Sequence, residues 1–358
     1  MRLSITPEIS TPIATGSPVA IGVSGGKDSQ ASALAVCEHL NRAGHAGPRL
    51  LVHSDLGSVE WQDSFPLCQE LADHLDLELV VLRRERDGLM ERWESRWQSS
   101  VARYQDLATV TLVPCWSTPS MRFCTSEMKT HPITAMLRRR FPGEIVINVT
   151  GIRRDESRRR ASAVIADGDR DGRLWNWRPI LDWSVEDAFA CIARHGLRPH
   201  PAYSDFGMSR VSCRFCIMSS FADLAAAAAQ PESHDLYRRM VALEIASSFA
   251  FQAGRWLGDI APHLLDRSMT DGLIRAKERA AQRISAESRI TPATLYVRGW
   301  PTRMLTDAEA DILASVRREV SGLFGFQSRY LDRNAVHERY AQLLAERAMK
   351  LARCRARV

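Results

Sequence analysis

A six-residue run near the N-terminus has the composition of a loop that binds phosphate. Ser24-Gly-Gly-Lys-Asp-Ser29 follows the apolar run Pro18–Val23 and precedes a segment whose apolar residues recur at helical spacing. Glycines at the start of a helix let backbone N–H groups approach phosphate oxygens, and the helix dipole favours negative charge there. The sequence therefore predicts a phosphate site formed by Ser24, Gly25, Gly26, Lys27, Asp28 and Ser29.

This run departs from the Walker A pattern. One residue too few separates Gly22 from Gly26, and Asp28 stands where that pattern needs Ser or Thr after the lysine. The alternative is a plain glycine turn between a strand and a helix. A turn explains the two glycines but not the lysine, the aspartate and the two flanking serines together, so we favour the phosphate site.

Charged residues also follow two other predicted strands. Gly151, Arg153 and Arg154 come directly after the strand Glu144–Thr150, and guanidinium groups pair well with phosphate or sulfate oxygens, so we expect these three residues to form part of the nucleotide site. The neighbouring residues 158–160 fit such a site and a solvated helix face equally well. Asp55 would accept a hydrogen bond from a ribose hydroxyl or hold Mg²⁺; a loop-capping role suits it equally.

The cysteines predict a metal site. Cys213 and Cys216 have the Cys-x2-Cys spacing that lets two thiolates reach one metal, and Cys115 and Cys124 would complete four ligands. The alternative is that these thiols are buried and inert. Three further cysteines fall at periodic apolar positions and are predicted to lie in the core: Cys37, Cys68 and Cys191.

Overall composition is that of a globular protein. The 358 residues are 45% hydrophobic and 25% charged, and the net charge of +6 is compatible with an anionic partner. No apolar run approaches the roughly 18 residues that span a bilayer, and the N-terminus lacks the order of a signal peptide. We expect a cytoplasmic protein with no membrane partner.

Short apolar runs alternate with helical patterns in the first part of the chain. The predicted strands are Pro18–Val23, Arg49–His53, Leu77–Leu82 and Glu144–Thr150. This alternation predicts an α/β fold, a parallel sheet with helices on both faces, whose ligands bind beyond the carboxyl ends of the strands. Residues 166–172 are predicted to be a surface turn. We expect two domains, 1–220 and a mainly helical 221–358 with one short strand at 295–297.

The loop Ser24–Ser29 resembles the PP-loop of the N-type ATP pyrophosphatases, which have an adenine nucleotide α-hydrolase-like fold. Further segments resemble the branch that includes the phosphoadenosine phosphosulfate (PAPS) reductases, and they occur in the expected order: His53–Trp61, Arg122–Thr125 with Lys129, Gly151–Ser157 with Arg160, Pro179–Trp183 and Cys213–Cys216. The resemblance covers about residues 18–220. It implies that ATP is cleaved between its α and β phosphates with Mg²⁺, that AMP passes to an acceptor, and that Lys27, Asp28 and Arg153 take part in catalysis.

The resemblance also bears on the cysteines. In iron-sulfur members of the superfamily, cysteines near the position of Cys124 join a later Cys-x2-Cys around a 4Fe-4S cluster. The adjacent cysteine pair of the reductases is replaced here by Phe123-Cys124. We therefore expect a 4Fe-4S cluster, with zinc in a structural site as the alternative. If Cys115 does not bind, one iron stays open for sulfide.

Three functions remain in competition. The first is an ATP pyrophosphatase that adenylates an acceptor for sulfur transfer, with nucleic acid or a sulfur-donor protein as partner. The second is a sulfonucleotide reductase that produces sulfite, although no glycine or histidine follows Cys354 as that chemistry requires. The third is a nucleic-acid-binding accessory protein whose basic stretch 347–357 contacts phosphates.

Overall fold

Six strands between residues 19 and 177 form one sheet. The structure is a computed structural model that describes residues 2–84 and 88–355. The strands are β1 (Val19–Val23), β2 (Arg49–Asp55), β3 (Glu78–Arg83), β4 (Val146–Thr150), β5 (Ala166–Gly168) and β6 (Leu174–Trp177). Their order is β3-β2-β1-β4-β6-β5, and every neighbouring pair is parallel except β5 with β6. The predicted parallel sheet is confirmed.

Helices account for most of the remaining regular structure. Those of the described residues are α1 (Pro7–Ala14), α2 (Lys27–Arg42), α3 (Ser64–Leu75), α4 (Leu89–Gln105), α5 (Phe123–Thr125), α6 (His131–Arg140), α7 (Arg158–Ala161), α8 (Val185–Arg194), α9 (Pro201–Ser204), α10 (Phe221–Ala228), α11 (His234–Ser247), α12 (Arg267–Glu287), α13 (Asp307–Phe324) and α14 (Arg333–Arg355). A π-helical turn, Ser126–Thr130, joins α5 to α6. The predicted basic stretch therefore falls on α14, and its last residues, 356 and 357, lie outside the described residues.

The sheet is apolar on both faces, which is why helices cover both. Ile21 of β1 packs into one cluster with Leu34 of α2 and Ile192 of α8. The next residue back, Ala20, points to the opposite face and packs with Leu137 of α6. Successive side chains of the strand point to opposite faces of the sheet, so each face contributes to a separate part of the core.

The chain divides into two compact units. Unit 1 comprises residues 1–90 and 117–237, and unit 2 comprises residues 91–116 and 238–358. The sequence placed a single boundary near residue 220, but the segment 91–116 groups with the C-terminal helices. The cause is apolar packing, since Tyr104 of α4 belongs to a buried cluster with Val316 and Val320 of α13.

Two local predictions differ from the structure. The predicted surface turn at residues 166–172 is the first half of a hairpin, because Ala166 and Gly168 pair with β6 on the edge of the sheet. The predicted strand at 295–297 reduces to one bridge between Val297 and Trp300. Arg298 and Gly299 form the two-residue turn between these partners, and Pro301 directly after Trp300 has no N–H to donate, which disfavours a longer ladder.

No helix among residues 2–84 and 88–355 has the length and apolar character needed to cross a membrane.

Candidate active site

A cavity of about 300 Å³ in unit 1 opens where three parallel strands end. Its wall includes residues that directly follow β1, β2 and β4, which is where open α/β sheets bind ligands. The polar and charged residues that line it are Ser24, Asp28, Ser29, Glu60, Ser64, Arg122, Cys124, Thr125, Lys129, Glu156, Ser157, Arg160, Tyr203, Arg210, Ser212, Cys213 and Cys216; Gly26 and Gly151 line it as well. Four members of the predicted phosphate loop are thus on this wall.

The loop itself is closed by its serines and shaped by one glycine. Ser29 Oγ donates to the Gly26 carbonyl over 2.8 Å, and the Ser24 N–H donates to Ser29 Oγ over 3.2 Å. Gly25 has φ of +73°, and a Cβ there would stand 2.9 Å from Ser64 Cα. A residue with a side chain is therefore disfavoured at this position on two independent grounds.

Lys27 occupies an unexpected place. Its side chain is buried behind the cavity wall, with Nζ 3.4 Å from Asp28 Oδ2 and 4.8 Å from the centre of the Tyr203 ring. Its backbone N–H donates to the Tyr203 hydroxyl over 3.2 Å. The predicted role of this ammonium in holding pyrophosphate would therefore require it to move.

The two predicted anion-binding arginines make internal ion pairs. Arg153 is 2% exposed, with Nε 2.6 Å from Asp28 Oδ1 and Nη1 2.6 Å from Asp155 Oδ2. Arg154 Nε lies 2.6 Å from Asp182 Oδ1. Arg153 thus positions the carboxylate of the phosphate loop, while Arg154 fastens the segment that follows β4.

Two other predicted site residues, Asp55 and Gly151, determine the path of the backbone. Asp55 Oδ1 accepts the Gly57 N–H over 2.7 Å, which is the loop-capping role that the sequence left open. Gly151 lets the end of β4 approach α2, because a Cβ there would lie 2.3 Å from the Asp28 carbonyl oxygen. Both residues therefore act on the backbone around the cavity.

Other cations face the cavity directly. Arg122, Lys129, Arg160 and Arg210 all line it. Arg160 forms an ion pair with Glu156, and Arg122 donates to Thr125 Oγ1 over 3.0 Å. The sequence left Arg160 open between an anion site and a solvated helix face, and Arg122 and Lys129 appeared only within the segments that resemble the family. Arg210 gave no signal in the sequence.

A buried histidine stands behind Glu60. His53 is 1% exposed, and its Nε2 lies 3.3 Å from Glu60 Oε2. Its Nδ1 lies 3.2 Å from the Val23 carbonyl oxygen and 3.7 Å from Cys68 Sγ. Burial lowers the pKa of His53, but hydrogen bonds to Cys68 and Glu60 outweigh it and raise that pKa to about 10. A protonated imidazole suits this setting, because Nδ1 faces the Val23 carbonyl and the Glu60 carboxylate lies within ion-pair distance of Nε2.

Three of the predicted metal-binding cysteines line the same cavity as the phosphate loop: Cys124, Cys213 and Cys216. Burial raises the pKa of the Cys213 thiol, and the neighbouring Cys216 raises it further, while Lys129 lowers it. Arg214, between the two, anchors this loop, since its Nε donates to the Glu60 carbonyl over 2.7 Å.

The fourth cysteine, Cys115, belongs to unit 2. Its thiol is fully buried, and Sγ lies 3.7 Å from Ser247 Oγ. Burial raises the pKa of Cys115 to about 12, so the thiol is neutral at ordinary pH.

The matched region and the cavity coincide. Residues 18–219 match the family model of the phosphoadenosine phosphosulfate reductase domain. The chain belongs to this family. An uncharacterized 37.8 kDa protein of the gpa 5′ region of Escherichia phage 186 is 29% identical over 240 residues, 57% of this chain and 68% of that one. The adenosine 5′-phosphosulfate reductase of Streptomyces coelicolor is 36% identical over 67 residues, 19% of this chain and 28% of the reductase.

Solved structures with a similar fold include a PAPS reductase of Candida auris in its phosphate complex. It is 12% identical, and the alignment covers 59% of this chain and 89% of that one with a TM-score of 0.38. The U34-tRNA thiolase NcsA of Methanococcus maripaludis, with its 4Fe-4S cluster, is also 12% identical, covering 64% and 72% with a TM-score of 0.36. Both TM-scores are low, so the PAPS reductase assignment rests on the sequence match.

The donor atoms on the cavity wall suit iron or zinc in kind, because three thiols face one space. The distances between these thiols are longer than in a site ready to bind a metal ion. Among residues 2–84 and 88–355, no three His, Cys, Asp or Glu side chains stand close enough to hold a metal ion. The cysteine cluster therefore stays a prediction, with its cavity members as the residues that would bind.

Proposed function

We propose that this protein is a PP-loop enzyme of the PAPS reductase family that cleaves ATP between the α and β phosphates and transfers AMP to an acceptor. One observation carries the proposal: a loop built to bind phosphate and three thiols line a single cavity. Adenylyl transfer and sulfur chemistry would then take place at one site.

In this reaction the acceptor attacks the α-phosphorus, and pyrophosphate leaves with the bonding electron pair. Backbone N–H groups of the phosphate loop would hold the departing group at the N-terminus of α2. Arg122, Lys129 and Arg210 supply positive charge on the same wall. Mg²⁺ would neutralise the phosphates when bound, and Asp28 is the carboxylate of the loop that suits it.

A cluster held by Cys124, Cys213 and Cys216 would supply sulfur chemistry next to the activated acceptor. Thiolates are the ligands that iron-sulfur clusters take, and the wall provides three of them. Cys115 belongs to unit 2 and its thiol contacts Ser247, so we infer a site with three protein ligands in place of the four that the sequence predicted.

The second function is sulfonucleotide reduction, favoured by the match to the Streptomyces coelicolor reductase. A thiolate would attack the sulfur of the sulfonucleotide and displace the nucleotide. A second thiol would then attack the first, releasing sulfite and leaving a disulfide. Cys213 and Cys216 are close enough in sequence to supply both thiols.

Nucleic acid is the acceptor that the charge distribution favours. Unit 2 contains 24 Lys and Arg against 16 Asp and Glu, whereas unit 1 contains 24 against 26. All of the chain's excess positive charge thus lies in the helical unit, and phosphate backbones bind such surfaces. A sulfur-donor protein is the other partner we expect.

Labelled ATP tests the proposal directly. The full-length protein is incubated anaerobically with α-labelled ATP, Mg²⁺ and RNA or DNA, and in parallel with APS or PAPS and a thiol reductant. Release of AMP or labelled acceptor with pyrophosphate supports adenylyl transfer, and sulfite supports the reductase. Asp28→Asn should abolish the product, while Asp73→Asn on the exposed face of α3 is the matched control. Binding without any product in either assay would return the protein to an accessory role.

A further inference from the structure

One side chain contacts both the phosphate loop and the cysteine loop. Tyr203 in α9 lines the cavity, and its hydroxyl oxygen accepts two backbone hydrogen bonds. The donors are the N–H of Lys27, over 3.2 Å, and the N–H of Val211, also over 3.2 Å. Val211 stands two residues before Cys213 and lines the same cavity. A single oxygen atom therefore joins the two loops.

In the phosphate loop, Tyr203 contacts the backbone N–H and the ammonium of Lys27, which are groups that an anion would use. Lys27 is the first residue of α2, and the first N–H groups of a helix have no partner within it. Its ammonium is held as well, over the Tyr203 ring at 4.8 Å. Gly26 is close behind, since a Cβ there would lie 3.6 Å from the hydroxyl. The tyrosine thus holds the positions that a bound phosphate needs.

On the cysteine side, the same hydroxyl fixes the start of the loop that carries Cys213. Burial raises the pKa of Tyr203, so its hydroxyl stays neutral. The Val211 carbonyl also lies close to the phosphate loop, 3.6 Å from the position of a Cβ on Gly26. Movement of Tyr203 would therefore release both loops together.

We propose that Tyr203 couples phosphate binding to the position of the cysteine loop. A phosphate that takes the N–H of Lys27 displaces the tyrosine hydroxyl, and the N–H of Val211 loses its acceptor in the same event. The coupling rests on the part of the proposed function in which the loop binds phosphate, and it holds whether or not ATP is cleaved. Tyr203 is a positioning residue that lets the site of sulfur chemistry respond to the nucleotide.

Hydrogen exchange with pyrophosphate as the probe tests the coupling on the full-length protein. In the wild type, Mg²⁺ pyrophosphate should speed amide exchange in the peptide containing Val211. In Tyr203→Phe, which keeps the ring and removes the hydroxyl, this peptide should already exchange faster and pyrophosphate should change it little. Because one competing hydrogen bond is gone, pyrophosphate should bind about two- to tenfold more tightly to this variant.

A matched control removes a phenolic hydroxyl elsewhere. Tyr296 in unit 2 donates to the Leu107 carbonyl over 2.9 Å, and Tyr296→Phe should leave pyrophosphate affinity and the Val211 peptide as in the wild type. Pyrophosphate that binds without altering exchange at Val211 in the wild type overturns the coupling alone. Pyrophosphate that binds neither wild type nor Tyr203→Phe overturns the phosphate site, and the coupling with it.

Discussion

Arg153 Nε and Asp28 Oδ1 stand 2.6 Å apart in a largely buried ion pair. The pair joins the segment after β4 to the first turn of α2, although the two residues are 125 positions apart in the sequence. It also leaves Asp28 on the cavity wall with one oxygen already fixed. The arginine therefore matters to the site through the carboxylate that it holds.

Removing this arginine should damage both stability and binding. Arg153→Gln leaves Asp28 without its guanidinium, and breaking one side of a buried pair costs on the order of 3 kcal/mol. We expect that loss in urea unfolding and a loss of nucleotide binding by calorimetry. Arg154→Gln is the matched control, because Arg154 has a side chain 37% exposed and should cost less while nucleotide still binds. Equal losses of stability and binding in the two variants would contradict the role of Arg153 in positioning Asp28.

Stability should depend on the protonation of His53. The folded pKa of about 10 lies above the ordinary 6.5, so the folded protein keeps a proton that the unfolded chain loses. The contribution is fully present below about pH 6.5 and is lost as pH rises through about 10, with a slope of at most about 1.4 kcal/mol per pH unit.

Urea unfolding across that range checks the sign. The difference in unfolding free energy between wild type and His53→Gln should shrink as pH is raised from 6.5 toward 10. His74→Gln, at an exposed position on α3, provides the comparison and should show no such trend. A difference that stays constant with pH would mean that His53 is neutral in the folded protein.

The cavity cysteines should carry iron. Protein purified without oxygen is expected to be brown and to contain iron and acid-labile sulfide. Each of Cys124→Ser, Cys213→Ser and Cys216→Ser should lower both contents. Cys354→Ser, at an exposed position on α14, should keep the full iron content. Colourless protein with stoichiometric zinc would instead support the structural zinc site.

Cys115→Ser decides between three and four protein ligands. Because Cys115 belongs to unit 2 and its thiol contacts Ser247, we expect this variant to retain iron. Loss of iron as complete as in Cys213→Ser would restore the four-cysteine set that the sequence predicted.

The two glycines of the phosphate loop should respond differently to alanine. Gly25→Ala meets both a positive φ and a backbone atom at 2.9 Å, and should cost roughly 1–3 kcal/mol together with pyrophosphate binding. At Gly26 the nearest atoms to a new Cβ lie 3.6 Å away and φ is −77°, so the fold should tolerate alanine. Thermal unfolding compares the two, and equal melting temperatures would argue against this loop geometry.

Local sequence patterns predicted more of the fold than of the site. The strands and the glycine loop are visible in the sequence because apolar periodicity and turn residues act over a few neighbours. The direction of Lys27 was not visible, since its partner Tyr203 lies 176 residues away in the chain. The partner of Arg153 is similarly remote, and a charge that will be paired internally looks the same in a sequence as one that binds a ligand.

The assignment of residues 91–116 to unit 2 has a consequence for how the protein is made. The chain enters that unit, leaves it, and returns only at residue 238. Trp93 and Trp116, which pack on Phe251, must therefore leave the ribosome long before the partner that covers them. During synthesis this segment exposes aromatic surface for the time needed to translate the rest of unit 1, which makes it a segment that a chaperone would protect. Neither unit can be expressed as one continuous fragment.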